Sequence, residues 1–250
     1  MSNEVQTPDG KPRIGAIVQA RMSSKRLPGK SLRPLCGKPL LQYVLEGLAH
    51  ADRLDETIVA TSIDPSDDPI VEFCARIGSV CLRGSLENVA ERFLRTAEAR
   101  RLSAFVRVSG DSPLLNPHLV AKAIDLFVES DADVITNVFP RTYPPGLSVE
   151  LVRTAAFEQA FLKLAEPYDR EHVTSFFYQN ADQFRIVNFS LDPPRRDVHL
   201  AVDTPEHFDF ASRIVATMKR PHWQYSLDEL LAICDELTTH AGRPASQVQP

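Results

Sequence analysis

A chain of 250 residues, 43% apolar and 24% charged, is long enough for one sizeable domain and has the balance of an ordinary globular protein. Its formal net charge of −5 argues against a protein that coats nucleic acid, because no global surplus of Lys and Arg exists to displace counterions. No apolar stretch approaches the roughly 18 residues of a membrane span, and the opening MSNEVQTPDGKPR has no apolar signal-peptide centre, so neither membrane nor secretion is expected.

Residues 1–12 read as a disordered lead-in. IGAIVQA (14–20) is an apolar, β-branched run suited to a strand buried on both faces, and a loop rich in basic residues follows it. PLLQYVLEGLAHA (39–51) sets Leu41, Val44, Leu45 and Leu48 on one helical stripe. TIVATS (57–62) is again a strand, closed by the turn DPSDDP. PIVEFCARIG (69–78) is a helix with Gly78 as its stop. SVCL (79–82) is a short strand, SLENVAERFLRTAEAR (85–100) a helix, AFVRVSG (104–110) a strand, 117–129 a helix and DVITNV (133–138) a strand. This alternation predicts an α/β fold with a largely parallel sheet and helices on both faces. The second half is less regular: a Pro-Pro-Gly turn in RTYPPGLSVELV (141–152), a helix over 154–165, REHVTSFFYQN (170–180), and strands at FRIVNFS (184–190) and VHLAVD (198–203). Helices at TPEHFDFASRIVATM and 226–237 precede a tail at 239–250. One domain is expected over 13–238, with 140–200 supplying a lid or subunit-contact hairpin.

The basic loop carries the clearest chemistry. Arg21, Lys25, Arg26 and Lys30 crowd around Ser23, Ser24 and Gly29 directly after the first strand. Open parallel sheets bind ligands beyond the carboxyl ends of their strands. Such a loop can cradle phosphates with backbone N–H groups while Arg and Lys supply charge. A solvated charge run is the competing reading, and neither standard Gly-rich nucleotide fingerprint is present. Asp111 ends FVRVSG and Asp203 ends VHLAV, which puts two carboxylates at one edge of the sheet. That suits Mg²⁺, which takes one or two carboxylates plus phosphate oxygens and waters. A turn role for Asp111 and a helix-cap role for Asp203 explain the same residues. His50, His118, His199, His207, His222 and His240 read as surface or packing residues. Cys36, Cys74, Cys81 and Cys234 form no CxxC or Cys/His spacing, which points to a reducing, cytoplasmic compartment.

QARMSSKRLPGKSL (19–32) closely resembles the signature loop of the acylneuraminate and 3-deoxy-manno-octulosonate cytidylyltransferases, and most of all the branch of the spore coat polysaccharide biosynthesis protein F. GKPLL (37–41), IVATS (58–62), LRGSLENVAERF (82–93), VRVSGDSPLLNP (106–117), YPPGLSVEL (143–151), REHVT (170–174) and VDTPEHF (202–208) follow in that family's order. The resemblance implies a Rossmann-like nucleotidyltransferase fold, and apolar strand sequence in the second half, able to pair across a two-fold axis, points to a homodimer. The resemblance also implies Mg²⁺-dependent transfer of CMP from CTP to an acidic sugar, sugar phosphate or phosphonate, with release of pyrophosphate, in surface polysaccharide or glycoconjugate synthesis. Arg21, Lys30 and Asp111 take the catalytic roles it implies. Gln19, Ala20, Arg21, Met22, Ser23 and Lys30 would bind the triphosphate, and Arg83, Ser85 and Asn88 would shape the nucleotide pocket. Asp111 and Asp203 would hold the metal, and Glu150, Arg170 and His172 would meet the acceptor.

Plainer roles stand beside these. Ser85 can cap the helix that follows, Arg92 can pair with Glu87 or Asn88 on the helix surface, and Glu171 with His172 can start a helix. The chain departs from the branch at Ser148, where an acid is common, leaving Glu150 as the remaining carboxylate. A transferase using GTP, UTP or dTTP, or a non-catalytic sugar-nucleotide-binding protein, are the alternatives. A glycosyltransferase is disfavoured, since its Asp-x-Asp motif is matched only by DAD (131–133), at a strand's start and hence the wrong edge of the sheet.

Overall fold

The computed structural model describes residues 11–241, with side chains to residue 239. The tails expected at 1–12 and 239–250 lie almost wholly outside the described residues. Seven strands form one sheet: β1 (Ile14–Gln19), β2 (Glu56–Ser62), β3 (Val80–Gly84), β4 (Ala104–Ser109), β5 (Val134–Thr136), β6 (Glu150–Arg153) and β7 (Ile186–Asn188). Their order is β3-β2-β1-β4-β6-β5-β7, and β6 alone runs antiparallel to its neighbours. The chain turns from β1 toward β2 on one side and continues at β4 on the other, so a crevice opens at the carboxyl ends of β1 and β4.

Helices cover both faces, as the alternation requires. On one face α1 (Leu40–Leu48), α2 (Asp68–Ile77), α4 (Pro117–Val128) and α9 (Leu227–Ala241) bury Val44, Phe73, Val120, Ile124 and Leu230 against Val18, Val106 and Leu151. On the other, α3 (Val89–Arg100), α5 (Thr154–Phe161), α6 (Pro167–Glu171) and α7 (Ser175–Gln179) join the sheet, with Phe93, Phe157 and Phe177 meeting Ile17, Ile58 and Phe105. The alternation of Phe105 with Val106 between the two cores is the period-two signature of a strand buried on both sides. A third cluster joins Leu27, Leu35, Leu40 and Tyr43 to Val202 and to Phe208 of α8 (Pro205–Thr217), and it seats the basic loop. No helix of the described residues is long and apolar enough to cross a membrane.

Two expectations are corrected. VHLAVD (198–203) is not a strand: Leu200 and Ala201 donate to Pro145 O at 2.7 and 3.1 Å, and Val202 donates to Asp111 O at 2.8 Å. Those donors satisfy loops instead of a ladder, so the run crosses the sheet edge irregularly. Gly146 makes this path possible; its φ is +99°, and a Cβ there would lie 2.4 Å from Leu200 C and Ala201 N. Region 140–200 contributes two strands to the main sheet, β6 pairing with β4 and β5 and β7 pairing with β5, while α6 and α7 lie on its second face. Finally, α9 runs to Ala241, past the expected start of the tail.

Candidate active site

Loop 20–32 is held from both ends. Met22 N–H donates to Asp67 Oδ1 at 2.7 Å, and Asp67, fully buried, also accepts from Ser62 N and Oγ at the end of β2. Met22 O accepts from Ser24 and Gly29 N–H, both at 2.9 Å, and Ser31 Oγ donates to Arg21 O at 3.1 Å. Leu27, 5% exposed, pins the tip into the third cluster. Asp67 is the functional brace that sequence reasoning missed. Its only signal was the acid-rich turn DPSDDP, whose partner lies 45 residues earlier.

The loop walls a cleft of about 280 Å³ at the carboxyl ends of β1 and β4. Gln19, Ala20, Arg21 and Lys30 line it, together with Ser24, Lys25, Arg26, Gly110, Asp111, Glu171 and Asp203. Met22 and Ser23 do not line it, because Met22 turns inward onto the core and its N–H is taken by Asp67. Gly110 lets β4 approach β1 at the cleft floor: its N–H donates to Gln19 O at 2.8 Å, and a Cβ would lie 2.9 Å from that oxygen.

Four cations and three carboxylates therefore share one small space. Lys30 Nζ sits between the acids, 2.7 Å from Asp111 Oδ2, 3.1 Å from Asp203 Oδ1 and 2.8 Å from Val202 O. Arg26 reaches Asp203 Oδ1 at 3.0 Å, and Arg21 contacts Glu171 at 3.3 Å on the exposed rim. Burial by itself would raise the Asp203 carboxyl, yet Lys30 and then Arg26 hold it below the usual carboxylate range. The two aspartates converge on one cation position although 92 residues separate them in the chain.

The residues expected around the base divide. Arg83 and Ser85 line a neighbouring hollow of about 540 Å³ with Ile63, Asp64, Glu87 and Arg92. Arg83 is also tied to the loop after β2, donating to Ser62 O at 2.8 Å and pairing with Asp68 at 2.7 Å. Asn88 is the cap of α3, accepting from Glu91 N–H at 3.0 Å, while Ser85 Oγ accepts from Asn88 N–H. Arg92 is not on the helix surface: it is 2% exposed, donates to Ser85 O, and keeps Nε and Nη2 without a partner. Burial, then the nearby Arg21 charge, pushes its pKa down to about 10.

Glu150, expected at the acceptor, is built into the fold. It is 5% exposed, and both its oxygens are engaged, by Arg107 at 2.6 Å, Thr174 at 2.7 Å and Tyr178 at 2.6 Å. Such a carboxylate does not line the cleft. Instead it clamps α6 and α7 to the sheet edge, where Glu150 pairs with Arg107 of β4 and Thr136 of β5. Burial would raise its pKa, but Arg107 and the two hydroxyls hold it low. The clamped segment carries Arg170, Glu171 and His172, all exposed; Glu171 lines the cleft, and His172 lies against Tyr168 with ring centroids 4.2 Å apart. Val173 beside them has φ +33° while 1% exposed, a conformation that a β-branched residue holds only where packing enforces it.

Residues 15–240 match the family described as Cytidylyltransferase. The uncharacterized protein MJ1063 of Methanocaldococcus jannaschii is 35% identical over 200 residues, covering 78% of this chain and 80% of its own. The spore coat polysaccharide biosynthesis protein SpsF of Bacillus subtilis is 33% identical over 205 residues, covering 77% and 82%. Among solved structures, a cytidylyltransferase from Leptospira borgpetersenii superposes with a TM-score of 0.85 at 24% identity, over 96% of this chain and 99% of its own. A CMP:2-keto-3-deoxy-manno-octonic acid synthetase complexed with CTP gives 0.65 at 19%, over 82% and 98%. A manganese complex of Rv0371c from Mycobacterium tuberculosis gives 0.56 at 18%, over 79% and 96%. With nearly the whole described chain matched, this protein belongs to the cytidylyltransferase family and has the Rossmann-like nucleotidyltransferase fold.

Proposed function

We propose that the enzyme transfers CMP from CTP to a hydroxyl of an anionic sugar, sugar phosphate or phosphonate and releases pyrophosphate. The observation that carries this reading is the cleft itself, in which Arg21, Lys25, Arg26 and Lys30 face Asp111 and Asp203 at the sheet's switch point. In the reaction an acceptor oxygen bonds to the α-phosphorus, the bond from that phosphorus to the bridging oxygen breaks, and the hydroxyl proton leaves to solvent or base. Transfer of this kind depends mostly on positioning and charge stabilisation. Arg21 and Lys30 offset charge on the β- and γ-phosphates as pyrophosphate departs. CTP in this cleft is supported by the family match and by the CTP complex of a protein with the same fold.

The donor set fits a divalent ion. Two carboxylates that meet one cation at 2.7 and 3.1 Å, at the floor of an open cleft, match the one or two carboxylates that Mg²⁺ combines with phosphate oxygens and waters. When bound, Mg²⁺ supplies Lewis-acid polarisation of the α-phosphate. Lys30 then turns from the aspartates to the phosphates, a short move for a flexible ammonium.

On the acceptor side, Arg170 and His172 are exposed on the segment that carries Glu171, which supports an acidic acceptor above the cleft. Ser148, where the related branch commonly has an acid, accepts from Arg141 at 2.9 Å. We read the enzyme as cytoplasmic, consistent with four unpaired cysteines, and as a homodimer, since Phe139, Leu162 and Tyr168 are all exposed in the 139–168 region. A monomeric mass by light scattering overturns the dimer.

The central test is thermal stabilisation by CTP, GTP, UTP, ATP and dTTP, each with and without Mg²⁺, since a ligand of the folded state raises apparent stability. CTP with Mg²⁺ is expected to give the largest rise. A larger rise with another nucleotide moves the reading to that nucleotide, and no rise with any favours a non-catalytic binding protein.

A further inference from the structure

One cluster of ligating side chains shares Asp203 with the cleft and takes its two histidines from outside it. His199, Asp203 and His207 each place one ligand atom within 4.8 Å of the others. The two imidazoles stack with centroids 3.9 Å apart and planes 18° from parallel. His199 Nε2 lies 3.7 Å from Asp203 Oδ2, while Lys30 and Arg26 approach the opposite oxygen, Oδ1. Asp203 thus shows one oxygen to the cleft and the other to the histidines. His199 Nε2 and His207 Nδ1 are both buried and have no hydrogen-bond partner. Buried ring nitrogens left bare are costly and rare unless something else occupies their lone pairs.

We propose that His199, Asp203 Oδ2 and His207 form a binding site for a first-row transition ion of the Zn²⁺ class, separate from the oxygen-donor position between Asp111 and Asp203. Two imidazoles and one carboxylate select such an ion over Mg²⁺, which prefers oxygen. Bonds of about 2.0–2.2 Å from a tetrahedral ion put neighbouring ligand atoms about 3.3 Å apart. The observed 3.7 Å between His199 and Asp203 needs a small closure, and the stacked imidazoles must turn so that their in-plane lone pairs meet at one ion. The sequence pattern H-x₃-D-x₃-H hides the site because 198–203 reads as a strand. On a strand, residues four apart lie about 13 Å from one another. The irregular path imposed by the Pro145 and Asp111 carbonyls removes that separation.

The test uses chelator-stripped full-length protein titrated with Co²⁺ and with Zn²⁺, followed by visible absorption and calorimetry. The expected result is one equivalent bound per chain, about tenfold or more weaker binding in a His199→Gln/His207→Gln variant, and undiminished binding in Asp111→Asn. No uptake by the wild type, or equal uptake by the double variant, overturns the site. Loss of binding in Asp111→Asn also overturns it, because the ion then sits in the cleft. Ring-nitrogen NMR of the wild type covers a double variant that fails to fold: Zn²⁺ should shift the signals of two histidines, and unmoved signals overturn the proposal. Since the readout is ion uptake without nucleotide, the result is independent of whether the enzyme uses CTP.

Discussion

Among the described residues, the Arg21 guanidinium is held in the cleft by a 3.3 Å contact with Glu171, both side chains at least a third exposed. A surface pair of this kind is worth little, so a triphosphate can recruit the guanidinium at small cost. Arg21→Ala is expected to weaken CTP binding about tenfold or more and CMP binding far less, as measured by calorimetry. Equal losses would remove Arg21 from the β- and γ-phosphates. Asp111→Asn leaves Lys30 paired with Asp203, so the fold should survive, while pyrophosphate release should fall at least about a hundredfold. Glu150→Gln behaves differently. It leaves the Arg107 cation beneath the surface without its carboxylate and loosens Thr174 and Tyr178, with an expected loss of about 3 kcal/mol in urea unfolding. Because the clamped segment carries Arg170 in α6 and His172 directly after it, the KM of the proposed acceptor should rise more than kcat falls. An unchanged KM would show that the clamp has no bearing on the acceptor.

At the scale of elements, the segment 198–203 decides where the second aspartate arrives. It is threaded against loop 143–147 through Gly146, whose φ of +99° and contact with Leu200 and Ala201 backbone admit no Cβ. Gly146→Ala is expected to cost about 2 kcal/mol or more in stability and to lower kcat by displacing Asp203. The checks are a thermal melt and steady-state kinetics, and a variant with wild-type kcat would mean that the segment does not set the aspartate. The basic loop is fixed in a similar way, by an Asp67 carboxylate contributed from just before α2.

For the whole molecule, pH dependence reports one buried histidine. His222 packs the turn before α9 onto α1, its Nε2–H donating to Tyr43 O at 2.9 Å, and burial lowers its pKa to about 4. The unfolded chain, with an ordinary value near 6.5, takes up a proton first as pH falls. Stability should therefore decline from about pH 6.5 toward pH 4 by about 3 kcal/mol in all. His199, also lowered by burial, acts in the same direction. Carboxylates held low, such as Glu150 and Glu56, lose their contribution only at more acid pH. Urea midpoints at pH 7 and pH 4.5 for the wild type and His222→Gln measure the effect. A variant as pH-sensitive as the wild type would assign the loss elsewhere.

The sequence by itself determined most of the sheet, its covering helices, the basic loop after β1 and the family. Each of these rests on local patterning: apolar period decides which faces are buried, Gly78 ends α2 by its own backbone freedom, and the loop follows the first strand wherever that strand lies. The tertiary structure decided which charges meet. Asp203 reaches Asp111 because Val202 and Ala201 bond to loops, Glu150 is taken inward by β6 pairing with β4, and Arg92 is carried under Ser85 by the turn into α3. His199 and His207 converge for the same reason as Asp203. A charged side chain's partner depends on register and on loop paths set by residues tens of positions away, and no local period encodes those distances.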